Sequence, residues 1–199
     1  MDIKILGTRG EIEATAPYHS RHSGILIDET LLLDFGEKDF LNDKPKFILI
    51  THLHPDHAFF IRHPHESINV EIPIYGPEKY RNHIIVEKLS RPKRFGRYEI
   101  IPIPTHHSHR VASQAYLIQK GNEKILYTGD MIWINKEYHP LLQKLDLVIT
   151  EGSYLRRGGF IKKHPESGKL YGHAGIPDLI KLFKPLSLLQ NYSLSRAKF

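Results

Sequence analysis

The segment Phe47-Ile48-Leu49-Ile50-Thr51-His52-Leu53-His54-Pro55-Asp56-His57 constrains the fold more than any other part of the chain. A short apolar run with β-branched residues, closed by turn signals, reads as a buried strand. Four side chains able to bind a metal follow it at once: His52, His54, Asp56 and His57. Residues two apart in an extended chain point the same way, so His52 and His54 can converge on one cation. Pro55 breaks the ladder and starts a turn, which swings Asp56 and His57 toward a neighbouring point. Neutral imidazole and carboxylate suit zinc or iron where no thiolate is at hand. The chain contains no cysteine. That excludes disulfide scaffolds, thiolate zinc sites, iron–sulfur clusters and cysteine nucleophiles, and it fits a reducing cytoplasm.

Two later segments offer further ligands. Ile100–Thr105 is strand-like and ends in His106-His107-Ser108-His109, and Ile125-Leu126-Tyr127-Thr128-Gly129-Asp130 is an apolar strand ending in an acid. A carboxylate at a strand end can bridge two cations about 3.5–4 Å apart.

Strands are expected at Asp2–Leu6, Ser23–Ile27, Thr30–Asp34, Phe47–Thr51, Ile72–Tyr75, Tyr98–Ile103, Gln114–Gln119, Lys124–Tyr127 and Leu145–Thr150. Helical patterning falls at Ala58–Ile61, Pro77–Leu89, Lys136–Lys144 and Ile176–Phe183. In the second of these, Pro77 suits a first turn and Ile84, Ile85 and Leu89 share a face. No repeat or linker divides the chain, so residues 1–199 are expected to form a single domain of sheets packed together with helices outside. At 40% hydrophobic and 25% charged residues, the composition excludes disorder and coiled coil. No apolar run approaches the ~20 residues needed to span a bilayer, and the first residues form no signal peptide, so no membrane association is expected.

Thr51–His57 resembles the His-x-His-x-Asp-His signature of the metallo-β-lactamase superfamily, and the rest follows in that superfamily's order. Ser23–Gly36 (SGILIDETLLLDFG) is similar to its early hairpin ending in Asp-x-Gly, and Tyr127–Asp130 to its Thr-Gly-Asp motif. Leu6-Gly7-Thr8-Arg9-Gly10 is similar to the start of the ribonuclease Z-like branch. The resemblance implies an α/β (α+β) fold, a four-layer αββα sandwich with metals at one edge between the sheets. It implies as ligands His52, His54, Asp56, His57, His107 and Asp130, holding one or two zinc ions, with manganese or iron as alternatives. The third motif fits His107-Ser108-His109-Arg110 with His107 as ligand, and a shorter spacing would choose His109. With His107 as ligand, His109 and Arg110 become substrate-side residues and His106 an outward bystander. Tyr171-Gly172-His173 is similar to a late Gly-His element whose histidine faces the reaction centre, so His173 joins Asp56 as a candidate catalytic residue. One departure stands out. Where a last histidine usually follows a final apolar strand, this chain has Asn191, a poor zinc ligand.

A metal-dependent hydrolase is therefore expected, using metal-activated water on a phosphodiester or related ester. Nothing offers a rival nucleophile: there is no Gly-x-Ser-x-Gly elbow and no phosphate-cradling Gly-Lys loop. Net charge is +6, which favours an anionic partner, a small anionic substrate or a short nucleic acid. The basic runs Arg91–Arg97 and Leu155–Lys163 are either steering elements or solvated loops. The alternatives are a metal-binding nucleic-acid or ligand module with a decayed second site, and a di-iron redox protein, which His54 and the lack of a flavin module disfavour.

Overall fold

In the computed structural model, which describes residues 1–13, 19–66 and 68–186, the apolar runs become two mixed sheets. The first has the spatial order β1 (Ile3–Gly7), β2 (Gly24–Ile27), β3 (Leu31–Leu33), β4 (Phe47–Leu49), β5 (Ile74–Gly76), β7 (Ile85–Lys88) and β6 (Tyr80–Arg81). Its hairpin strands β1–β3 are antiparallel, and β3, β4, β5 and β7 run parallel. The second has the order β12 (Trp133–Ile134), β9 (Tyr98–His106), β10 (Gln114–Lys120), β11 (Glu123–Tyr127) and β13 (Leu147–Ile149), with β8 (Lys93–Phe95) pairing the start of β9. A separate hairpin joins β14 (Phe160–Lys163) to β15 (Leu170–His173).

Side-chain alternation explains the layers. Ile25, Ile27, Leu31 and Leu33 pack with Tyr98, Ile100, Tyr116 and Ile118 in the core between the sheets. Their neighbours Leu26, Leu32 and Ile48 face the other way, onto Phe40 of a 3₁₀ helix (Lys38–Asp43) and onto Phe59 and Phe60 of α1 (Phe59–Arg62). On the second sheet's outer face, Ala115, Leu117 and Leu126 meet Leu142 of the 3₁₀ helix Lys136–Leu142 and Leu179 and Phe183 of α2 (Ile176–Phe183). Both faces of both sheets are thus buried, which gives the αββα order with thin helical layers.

One expected element is corrected: Pro77–Leu89 is not a helix. It holds the short strand β6 and the parallel strand β7. Ile84 and Val86 are buried while Ile85 is 58% exposed, a period-two pattern inside the apparent helical stripe. The run Ile84-Ile85-Val86 is β-branched, and pairing with β5 supplies backbone partners that the 3.6-residue pattern cannot outweigh.

The topology brings strand ends together. Asp34 follows β3, Thr51–His57 follow β4, His107 follows β9, Asp130 follows β11 and His173 closes β15. At this edge the sheets are stitched by a bridge between His52 and Ser113 and by Gln114 N donating to Thr51 O at 3.0 Å.

Candidate metal centre

Asp34 organises the ligand turn. Fully buried, its carboxylate accepts from Thr51 N (2.7 Å), Thr51 Oγ1 (2.9 Å), Tyr127 OH (2.7 Å) and His57 Nδ1 (2.7 Å). A carboxylate can only accept, so His57 must carry its proton on Nδ1 and turn Nε2 away. That Nε2 is buried without a hydrogen-bond partner, 3.4 Å from Asp56 Oδ2 and 3.5 Å from Asp130 Oδ1. A buried orphan nitrogen facing two carboxylates fits a cation between them.

Beside it, His54 Nδ1 lies 3.1 Å from both His52 Nε2 and His107 Nε2. His107 donates from Nδ1 to Gly172 O at 2.9 Å, which leaves Nε2 as its ligand atom. Three overlapping groups result: His52, His54 and His107; His52, His57 and Asp130; His107, Asp130 and His173. Within each, the ligand atoms lie within 4.8 Å of one another. His52, His107 and Asp130 each belong to two of them, and Asp130 is the shared carboxylate. Gly129, which places it, has φ 57°, and a Cβ there would stand 2.4 Å from Thr51 Oγ1. Only glycine lets the two loops touch.

Charge follows geometry. Burial and the neighbouring imidazoles hold His52 well below the usual histidine range and His54 at about 4, and burial also lowers His107. These three rings are neutral and ready to donate lone pairs. His57 is also buried, yet Asp34, Asp130 and Asp56 outweigh desolvation and raise it well above the ordinary value. Burial likewise opposes the charge on Asp56, and the His57 cation keeps its carboxyl low.

The structure brings together His52, His54, Asp56, His57, His107, Asp130 and His173. It takes His107 rather than His109 into the cluster. His109 instead stacks on His164 (4.4 Å between ring centroids) and meets Tyr171 at a tilt (4.6 Å), with Arg110 exposed beside it. His106 stacks on Trp133 at 4.3 Å and bonds Asn135, apart from the ligands. Asn191 lies outside the described residues. Two contributors went unassigned in the sequence. Asp34 sits in the early hairpin's Asp-x-Gly, and Glu151, in Asp146–Ser153, binds His173 Nδ1 at 2.8 Å and accepts from Met131 N at 2.6 Å. An acid within three residues of the end of an apolar strand is the signal both share with Asp130.

Stacked mixed sheets with helices outside, and a histidine–aspartate cluster at one strand-end edge, define the metallo-β-lactamase fold. The chain belongs to the β-lactamase superfamily, whose members are mostly hydrolases: residues 36–186 match the family model described as the beta-lactamase superfamily domain. Among solved structures, the short form of human tRNase Z (ELAC1) is 17% identical, with 94% of this chain and 90% of that one covered at a TM-score of 0.64. A diphosphatase of the PhnP family is 16% identical, covering 92% and 82%, at 0.61. The metallo-β-lactamase fold protein YhfI from Bacillus subtilis is 20% identical, covering 76% and 72%, at 0.56. At these identities the likeness is one of fold. No curated protein matches the sequence. Among the described residues, no helix is long and apolar enough to cross a membrane.

Proposed function

We propose that the protein is a metal-dependent hydrolase of phosphodiesters or related esters. The observation that carries this reading is the convergence of three neutral imidazoles beside the orphaned His57 Nε2, with Asp130 between the two donor sets. His52, His54 and His107 would hold one ion, and His57, Asp56 and Asp130 a second. Zinc suits nitrogen-rich, thiolate-free ligands, with manganese or iron as alternatives. Bound there, such ions supply Lewis acidity and an acidified water.

The chain's own groups supply the rest. Asp56, held as a carboxylate, is placed to orient an attacking water and accept its proton. His173 faces the centre from β15, with Nδ1 fixed by Glu151. Burial opposes its charge, but Glu151 and Asp130 raise its pKa, so a proton is available for a leaving alkoxide. The names of two structural relatives, a tRNase and a diphosphatase, support a phosphate ester as substrate.

Elemental analysis of protein from zinc-replete cells, paired with hydrolysis of bis-p-nitrophenyl phosphate, tests the reading. Metal and turnover should both be present, and both should vanish in His52→Ala and His54→Ala. Metal-free wild type would refute it.

A further inference from the structure

The β14–β15 hairpin rises directly from the metal centre. At its root Gly172 N donates to His107 O at 2.7 Å and Gly172 O accepts from His107 Nδ1. A Cβ at Gly172 would stand 1.9 Å from Phe160 O, so the close seat of the hairpin requires glycine, at φ 130°. The pairs Phe160↔His173 and Lys162↔Tyr171 put those four side chains on one face. That face is aromatic along its length. Tyr154 stacks on Phe160 at 5.8 Å and lies 5.9 Å from His173, while Tyr171 meets His109, and His109 meets His164. Cations flank it. Residues 154–173 hold Arg156, Arg157, Lys162, Lys163 and Lys169 against the single carboxylate Glu166, and thus +4 of the chain's net +6. All five cations are exposed. The other basic run, Arg91–Arg97, sits at the far end of β9 from His107, with Lys93 over Tyr75 and Arg97 paired to Asp28.

We propose that this hairpin face is a platform for single-stranded nucleic acid, leading a phosphodiester to His173 and the metal centre. This rests on the hydrolase reading for its direction and not for its binding. Planar rings interleaved with cations match stacked bases and a phosphate backbone, and stacking tolerates any sequence. Exposed aliphatics nearby, Leu155, Ile161 and Leu170, would suit a lipid surface, but Ile161 and Leu170 alternate away from the aromatic face.

The test uses the full zinc-loaded chain and a fluorescein-labelled single-stranded dodecathymidylate, read by anisotropy between about 50 and 200 mM salt. Wild type should bind, less tightly as salt rises. Lys162→Ala should lower the log K against log salt slope by about 0.7, whereas Lys163→Ala, on the opposite face with Leu170, should change it less. Tyr171→Ala should weaken binding about 5- to 100-fold, and Tyr171→Phe should restore it. Unfolding midpoints identify any variant that fails to fold. No binding, equal binding of the matching duplex, indifference to Tyr171→Ala in a folded variant, or capture by phosphatidylserine vesicles instead would each overturn the platform. Binding without bis-p-nitrophenyl phosphate turnover would overturn the hydrolase reading and leave the platform standing. Turnover without binding would do the reverse.

Discussion

Asp34 takes a left-handed conformation, φ 60°, which costs a non-glycine residue about 1–2 kcal/mol that side-chain bonds can recover. Here the recovery is four donors on one buried carboxylate, among them His57 Nδ1. Asp34→Ala should therefore lower metal affinity about 10- to 100-fold. It should also cost about 3–5 kcal/mol of stability by stranding a buried charge. Chelator competition and denaturant titration read the two effects. Protons give a second residue-level prediction. At pH 7 the lowered His52, His54 and His107 are already neutral, whereas the raised His57 holds a proton that a cation must displace. Zinc loading should release about one proton per chain. Calorimetry in buffers of different ionisation enthalpy measures it, and release of none would contradict His57 as a ligand. The sign for His54 is opposite. Unfolded, it binds a proton near ~6.5, but folded only near about 4, so its share of apo-protein stability is complete above that window and lost as pH falls through it. Thermal melts of metal-free wild type against His54→Gln isolate that share.

At the scale of elements, α1 is a single turn, too short to persist alone. It is anchored by packing and by Arg62, whose guanidinium donates to Pro55 O at 2.7 Å, Gly36 O at 2.8 Å and Glu37 Oε2 at 3.1 Å. One side chain thereby clamps the ligand turn to the loop after β3. Arg62→Ala should cost about 1–3 kcal/mol and weaken metal binding. Lys should not replace it, since a point ammonium cannot reproduce the fork. An Arg62→Lys variant with wild-type zinc affinity would sink this account.

Across the whole molecule, the core between the sheets and the metal edge do different work. Asp28 ties the β2–β3 turn to the second sheet through Tyr98 OH and Lys120 Nζ, each at 2.8 Å, with Arg97 nearby. Burial opposes its charge, and these donors overcome that and hold its carboxyl well below the usual range. Its contribution is present above about pH 4 and fades as acid protonates it. The strand-end cluster instead packs imidazoles and carboxylates, with the ligand atoms of each group within 4.8 Å of one another, where a bound cation would add stability. Saturating metal at about 100 times Kd adds about 2.7 kcal/mol. Stripping it with EDTA should lower the melting midpoint by about 5–10 °C for a chain of this size.

The convergence of the histidine–aspartate turn was legible because its determinants are local. A proline after two alternating histidines turns the chain whatever surrounds it, and His52, His54, Asp56 and His57 need only six residues to assemble. The strands were legible because short apolar runs closed by turn signals, such as Ile25-Leu26-Ile27 in β2 and Phe47-Ile48-Leu49 in β4, mark strands locally. Sequence spacing could not rank His107 above His109, because both follow β9 within reach. The backbone of Gly172, sixty-five residues on, fixes His107 from behind, while Tyr171 draws His109 outward. Nor could it turn Pro77–Leu89 into strands, since β5 had to be in place to offer its edge. Asp34 and Glu151 read as ordinary turn acids until the fold aimed His57 and His173 at them. Local chemistry selects which residues can act; tertiary hydrogen bonds, made across long loops, decide which of them point inward.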